Sequence, residues 1–176
     1  TTRTYTITVY VTPPSTVTTL SSITVAGQTV AVGGSVSVPA GTASVSVVAT
    51  TTDAGASYTV SGRTNLLEGN NTVTVRVTAE NGSTRDYTFT VFVTPRSSNT
   101  NLSAITVNGR TVLAGDTITV GAGTTAVSVT AVTEDADATV SISGRTNLIE
   151  GNNTVSILVT AANGSTRTYS VTVYVT

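Results

Sequence analysis

Hydrophobic and polar residues alternate along most of the chain, and the alternation has the period of a β-strand. From Val73 to Ala79 every second residue is apolar, and threonine or arginine fills the positions between. From Tyr87 to Val93 every second residue is again apolar, with Thr88, Thr90 and Phe92 at the positions between. Because successive side chains of a strand point to opposite faces, each segment is predicted to be a strand with one buried face. Valine and threonine, which dominate the chain, are β-branched residues that favour pleated sheets.

The whole pattern repeats after 82 residues without a gap. Ser61–Val73 (SGRTNLLEGNNTV) returns as Ser143–Val155 with a single change, and 49 of the 82 aligned positions are identical. A fixed period indicates an array of one folding unit, and a unit of this size can bury one modest core. We therefore divide the chain into two full copies, 13–94 and 95–176, preceded by residues 1–12, which match the last twelve residues of each copy.

Turn signals separate about seven predicted strands in each copy. In the first copy they are expected near 20–26, 29–32, 35–38, 44–51, 57–61, 72–79 and 84–93, and the second copy adds 82 to each. Asn-Gly pairs at 81–82, 108–109 and 163–164 predict type I′ turns, because both central residues of that turn need positive φ. Short strands with frequent turns predict an all-β fold of tandem antiparallel β-sandwiches. Short prolyl links at Pro13 and Pro95 predict an elongated array.

Composition excludes several classes of function. Charged residues make up 10% of the chain, the net charge is −1, and all eight basic residues are arginine, so no basic face is expected for nucleic acid. Cysteine and histidine are absent, which removes disulfides, thiolate zinc sites and histidine-assisted nucleophiles. No apolar run is long enough for a membrane helix, and no signal peptide is recognisable. We expect a non-enzymatic protein without cofactor, metal or membrane insertion.

Three motifs in each copy resemble those of a known family. They read Leu-x-x-Ile-x-Val, Leu-x-x-Gly-x-Asn-x-Val and Asn-Gly-Ser-Thr-Arg-x-Tyr-x-x-x-Val, and they lie at Leu20–Val25, Leu66–Val73 and Asn81–Val91 and again at Leu102–Val107, Leu148–Val155 and Asn163–Val173. The chain resembles the cadherin-like, immunoglobulin-like β-sandwich repeats of prokaryotic secreted and surface proteins. The resemblance implies a tandem extracellular module used as a stalk, spacer or adhesive fibre, with no catalytic residues. The acidic calcium motifs of animal cadherins are missing, so calcium binding is not implied.

Two sets of side chains are candidates for ligands or modification. Glu134, Asp135 and Asp137 could offer oxygen ligands to calcium, but the first copy keeps only Asp53 of this cluster, which favours a solvated loop. Asparagine begins an Asn-x-Ser/Thr sequon at five positions, where glycosylation would depend on the host: Asn70, Asn81, Asn101, Asn152 and Asn163.

The shared loop has a structural interpretation. Leu66 and Leu148 are expected to close one end of each sandwich, and Asn70 and Asn71 are expected to satisfy the backbone of the turn.

Residues 1–12 form one strand more than two copies require. Tyr5, Ile7, Val9 and Val11 share one face, which is expected to be buried. The segment is either the last strand of a preceding repeat or a donor strand exchanged between subunits. Since both copies already have all their strands, the preceding repeat is favoured. The chain also starts at Thr1, so it is expected to be a processed product or part of a longer protein.

Aromatic residues recur at one outward position near the end of each period. Tyr10, Phe92 and Tyr174 are expected to point away from the core and to contact a neighbouring module, a neighbouring fibre or a ligand.

The sequence thus predicts a structural segment of an extracellular surface protein or fibre, an adhesin-like stalk or spacer. Its expected partners are neighbouring repeats or identical subunits, with host or environmental glycans as an open alternative. Two other functions stay open: a subunit of a filament built by strand exchange, and a module that binds glycan or protein. A binding site would need a patch that differs between copies, and the copy-specific Tyr58, Arg76 and Phe89 are scattered.

Overall fold

The computed structural model describes all 176 residues, which divide into two compact units, Thr1–Pro95 and Arg96–Thr176. Each unit contains seven β-strands and no helix. The prediction of an all-β fold with two sandwich domains is therefore confirmed. No helix long and apolar enough to cross a membrane is present.

In unit 1 the strands follow the predicted order. They are β1 Leu20–Val25, β2 Gln28–Thr29, β3 Ser35–Val38, β4 Val47–Thr51, β5 Ser57–Ser61, β6 Gly69–Thr78 and β7 Thr84–Val93.

In unit 2 the strands recur with the 82-residue offset. They are β8 Leu102–Val107, β9 Arg110–Val112, β10 Thr117–Val120, β11 Val129–Thr133, β12 Thr139–Ser143, β13 Gly151–Thr160 and β14 Thr166–Val175.

Each unit is a sandwich of a three-stranded and a four-stranded sheet. The order is β2-β1-β4 and β3-β7-β6-β5 in unit 1, and β9-β8-β11 and β10-β14-β13-β12 in unit 2. Most pairs are antiparallel as predicted, but β3 runs parallel to β7 and β10 runs parallel to β14. The parallel pair arises because the chain leaves the smaller sheet after β2, turns at Gly33–Gly34 and joins the larger sheet beside β7. Backbone hydrogen bonds from Gly33 N–H to Thr88 O and from Thr90 N–H to Gly34 O, both 2.9 Å, fix the crossing.

The cores lie between the two sheets and consist of the predicted alternate residues. Val73, Val75 and Val77 of β6 have no exposed surface, and Thr74 and Arg76 between them face outward. Tyr87, Phe89, Val91 and Val93 bury the same face of β7. Since each fully buried valine stabilises the fold by about 1.5–3 kcal/mol, these two central strands contribute much of the stability of the unit. Each core draws residues from one unit only.

The hairpin between β6 and β7 differs from the predicted type I′ turn. Gly82 has φ of +86° but Asn81 does not have a positive φ. Gly82 N–H donates to Ala79 O and Ala79 N–H donates to Ser83 O, which defines a type I turn followed by a glycine bulge. The hairpin at Asn163-Gly164 has the same hydrogen bonds. The expectation for both pairs was wrong in turn type, because three residues rather than two lie between the hydrogen-bonded residues, Ala79 and Ser83 in unit 1 and Ala161 and Ser165 in unit 2.

The type I′ prediction is confirmed between β8 and β9. Asn108 and Gly109 have φ of +49° and +80°, and Ala26 and Gly27 take nearly the same values in unit 1.

Three strand boundaries also differ from the prediction. The second strand ends at Thr29 because the chain departs toward the other sheet, and the fourth begins at Val47 because Ser44 forms only an isolated bridge to Thr64. The sixth strand begins at Gly69 rather than near residue 72, since Gly69 pairs with Val93.

Candidate assembly site

The N-terminal segment Thr1–Thr12 is exposed on both faces and has no secondary structure. The predicted assembly residues Tyr5, Ile7, Val9 and Val11 are 78–86% exposed. Their equivalents in β7 are at most 5% exposed. The segment thus presents to solvent the apolar face that the same sequence buries inside a unit.

Of the three predicted outward aromatic residues, Phe92 and Tyr174 lie on strands and face away from the cores. Phe92 is half-buried on the outer face of the larger sheet beside Asn70, and Tyr174 is exposed at the equivalent place beside Asn152. Tyr10, in the N-terminal segment, is 84% exposed. The structure brings none of these three side chains together within one unit, and a contact role for them stays a prediction.

The segment that enters each unit is bound to the last hairpin of the same unit. Asn81 N–H donates to Ser15 O at 3.1 Å, and Tyr87 Oη donates to Thr18 O at 3.0 Å. In unit 2, Asn163 N–H donates to Ser97 O at 3.0 Å and Tyr169 Oη donates to Thr100 O at 3.1 Å. We call this set of contacts the entry latch. Sequence reasoning missed it, although the tyrosines and serines recur at the fixed offset.

An arginine and an aspartate complete each entry latch. The guanidinium of Arg85 lies 5.0 Å from the centre of the Tyr87 ring, and that of Arg167 lies 4.7 Å from the Tyr169 ring. A cation over a ring face is attracted by the negative face of the ring, so each arginine holds its tyrosine in place.

The aspartate of each latch accepts a backbone hydrogen bond, from Gly55 N–H to Asp53 Oδ1 and from Asp137 N–H to Asp135 Oδ1, both 2.9 Å, and a nearby serine hydroxyl also favours its charged form. The Ser15 hydroxyl and, next, the Gly55 N–H hold the pKa of Asp53 below its ordinary value. The Ser97 hydroxyl and the Asp137 N–H do the same for the pKa of Asp135. In both units partial burial opposes this shift but does not cancel it.

The shared loop is closed by one asparagine. Asn71 Oδ1 accepts from Leu67 N–H at 2.9 Å, and Asn71 Nδ2 donates to the carbonyls of Leu67, Gly69 and Val91 at 2.7, 3.0 and 3.3 Å. Asn153 makes the same four contacts in unit 2. Leu66 and Leu148 are buried in the cores, which confirms their predicted role in closing the sandwich end.

Gly62 fits this loop for two reasons. Its φ is +75°, and a Cβ there would lie 2.3 Å from the carbonyl oxygen of Thr72. The equivalent Gly144 has the same surroundings. Only glycine avoids both the backbone strain and the collision with the neighbouring strand.

The acidic cluster is used by backbone and amide groups. Asp135 Oδ1 accepts from Asp137 N–H at 2.9 Å, and Glu134 Oε2 accepts from the side-chain amides of Asn99 and Asn101 at 3.3 and 3.1 Å. No group of three or more histidine, cysteine, aspartate or glutamate side chains is arranged to hold a metal ion. These acidic side chains therefore stabilise a turn and the segment that enters unit 2.

The five sequon asparagines are all exposed: Asn70, Asn81, Asn101, Asn152 and Asn163. Asn81 and Asn163 use Oδ1 to accept from the N–H of Ser83 and Ser165, and Asn101 donates Nδ2 to Glu134. Glycosylation of these asparagines stays a prediction.

Two grooves in the structure are smaller than the cavities that usually bind small molecules. Equivalent shallow grooves lie beside the first strand of each unit, with volumes of about 190 Å³ near Leu20 and Val32 and about 150 Å³ near Leu102 and Leu113. Small-molecule pockets usually reach about 300–1,000 Å³. The titratable side chains of the exposed surface do not converge in either groove. One ion pair, in which Arg76 Nε lies 2.7 Å from Asp86 Oδ1, is on the outer face of β6 and β7.

Two β-sandwiches with matching latches, loops and cores define a protein of tandem β-sandwich modules. Residues 20–94 and 102–176 each match the family model described as the cadherin-like beta sandwich domain. The chain belongs to this family, and it carries two copies of the domain.

Comparison with individual proteins adds little to the family match. A search of curated proteins found no match. Among solved structures, the fibronectin(III)-like modules of Clostridium thermocellum CbhA share 14% identity over 87% of this chain and 93% of that chain, with a TM-score of 0.29. A likeness at this level carries no argument about this chain.

Proposed function

We propose that the chain is a structural segment of an extracellular surface protein or fibre, in which cadherin-like modules act as spacers. The observation that supports this most directly is the pair of complete modules, each with its own core and its own entry latch. Asn71 and Asn153 close matching loops and the latch tyrosines bind matching entry segments, so these recurring polar groups have structural roles. We therefore also propose that the segment is not an enzyme.

The family and the composition of the chain support an extracellular location. Cadherin-like modules are typical of extracellular proteins. The chain is rich in threonine and serine and has no cysteine, methionine or tryptophan, so it offers few oxidisable side chains.

Surface labelling of the source cells tests this function. Antibodies raised against the two modules should label intact cells, and external protease should remove the label without lysis. Antibodies to a cytoplasmic protein of the same cells provide the control. Labelling that requires permeabilised cells would contradict the proposal.

A filament subunit is a second candidate, favoured by the exposed apolar face of Thr1–Thr12. Exchange between identical chains would have to displace β7 or β14, since both cores already contain that strand. If the purified chain assembles in this way, oligomers should increase with concentration and should be lost in Ile7→Asp. A monomer at all concentrations would exclude this candidate for the chain alone.

A further inference from the structure

The N-terminal segment carries nearly the whole sequence of the strand that closes each unit. Residues 1–12 are identical to residues 165–176 at nine of twelve positions and to residues 83–94 at eight. The matches include Arg3 and Tyr5. They correspond to the arginine and tyrosine of each entry latch, Arg85 with Tyr87 and Arg167 with Tyr169. The likeness therefore extends beyond an alternating apolar pattern.

The closing strand has three separate tasks within a unit. β14 pairs antiparallel with β13 along ten residues and parallel with β10 along four, so hydrogen bonds bind both of its edges. Its inward side chains Val171, Val173 and Val175 are at most 2% exposed. Its tyrosine binds the entry segment. A strand that matched only the alternating apolar pattern would fill the core but would not bind the entry segment.

A free edge of either sheet would be a poorer site for the segment. The edge strands β5 and β12 would offer one row of backbone groups. Only the closing position places a tyrosine hydroxyl beside an entry-segment carbonyl, as Thr18 O and Thr100 O show. In both units this position is already occupied by the unit's own last strand.

We propose that residues 2–11 are the closing strand of a further cadherin-like module, one that lacks its own last strand. In that module Tyr5, Ile7, Val9 and Val11 enter the core, and Arg3 packs on Tyr5. The strand runs antiparallel to the penultimate strand of the module and parallel to its third strand, in the register of β14. This inference rests on the proposed tandem structural function and names the partner that the segment fits.

A fusion chain tests the assignment with the whole protein present. Residues 13–82, which are a module without its last strand, are placed directly before residues 1–176, so that Gly82 is followed by Thr1. We expect three folded units instead of two. The backbone amides of residues 2–11 should exchange with solvent more slowly than in the unfused chain by on the order of a thousandfold or more, as expected for core strands.

Matched substitutions separate strand closure from other causes of folding. Ile7→Asp places a charge at a core position and should leave the added residues 13–82 unprotected, while both original units keep their protection. Thr6→Asp changes the neighbouring outward position, equivalent to the exposed Thr88 and Ser170, and should leave all three units folded.

Two outcomes would overturn the inference. The first is that the added residues 13–82 fail to fold in the fusion chain while both original units remain folded. The second is that Ile7→Asp and Thr6→Asp have the same effect. Either result would leave the surface-labelling test of the proposed function unaffected, so the two failures are distinguishable.

Discussion

Four non-glycine residues have positive φ, and three of them are asparagine: Ala26, Asn65, Asn108 and Asn147. Asparagine tolerates this region because its side chain forms local hydrogen bonds, whereas alanine has no such compensation. Asn108 Oδ1 accepts from Ser128 N–H at 2.9 Å. Ala26 holds the same backbone conformation without that contact, so the first copy has a weaker turn than the second.

Replacing Ala26 with asparagine should therefore stabilise unit 1. Ala26→Asn is expected to raise the free energy of unfolding by roughly 1 kcal/mol, through lower strain and a new hydrogen bond to Ser46 N–H. Denaturant unfolding followed by amide exchange in unit 1 measures the change. The reverse variant Asn108→Ala should lower the stability of unit 2 by a similar amount. No change in either direction would show that the side chain does not determine the cost of this turn.

Gly62 provides a second test at the residue scale. Gly62→Ala should destabilise unit 1 by at least about 3 kcal/mol, because the added Cβ collides with the Thr72 carbonyl as well as straining the backbone. Gly27→Ala is the matched control, since φ is +79° there but nothing lies within 4 Å of the added atom. Its cost should be about 1–2 kcal/mol. Equal melting temperatures for the two variants would contradict the collision.

Within each unit, separate elements depend on a few side chains that bridge them. Asn71 connects the shared loop with β7, and the entry latch connects the segment before β1 with the last hairpin. The sheets themselves are held by backbone ladders and by the apolar core. The bridging side chains thus fix the irregular parts of the unit, which have no ladder of their own.

Loss of Asn71 should loosen the loop. Asn71→Ala is expected to lower the stability of unit 1 by about 2–3 kcal/mol, because backbone groups of Leu67 and Gly69 lose their partners. Asn70→Ala, at the adjacent exposed position, should change it by less than about 0.5 kcal/mol. Thermal unfolding of the two variants beside the parent protein measures the difference, and similar values for both would rule out this role of Asn71.

Acid should weaken the entry latch of unit 2. The pKa of Asp135 is lowered in the folded state, so its stabilising effect is present above the ordinary value of 3.8 and is lost as pH falls through the lower folded value. The melting temperature of unit 2 should therefore decrease below about pH 4. In Asp135→Asn the protein should be less stable at neutral pH and should lose less stability on acidification. An unchanged pH dependence in this variant would exclude Asp135 as its source.

On the scale of the whole molecule, the two cores contain no shared residue. A fault in one core should therefore leave the other unit folded. Ile157→Ala, at a position with no exposed surface, is expected to cost unit 2 about 2–5 kcal/mol. Amide exchange resolved by residue should show faster exchange in β13 and β14 and unchanged exchange in β6 and β7. A simultaneous loss of protection in both units would contradict separate cores.

The sequence predicted most of the strands but few of the turns and contacts that connect them. The alternation around Val75 and Ile157 identifies the buried face, because the period of a strand is short and local. The parallel pairing of β3 with β7 could not be predicted, since it depends on where the chain crosses between sheets. The turn at Asn81-Gly82 was misjudged because the dipeptide alone does not determine the loop length. The entry latch joins residues 69 positions apart, from Thr18 to Tyr87, and no local pattern indicates such a contact.

The last strand of each unit holds the larger sheet together and also carries the tyrosine that binds the entrance. Removing β7 from its place would release Thr18 in the same event, so the beginning and the end of a module come apart together. Under tension, a string of such modules should lengthen in discrete jumps of one whole module rather than by gradual fraying. A repeat of 82 residues, fully extended, spans roughly 270–300 Å, and each jump equals this span minus the end-to-end length of the folded module.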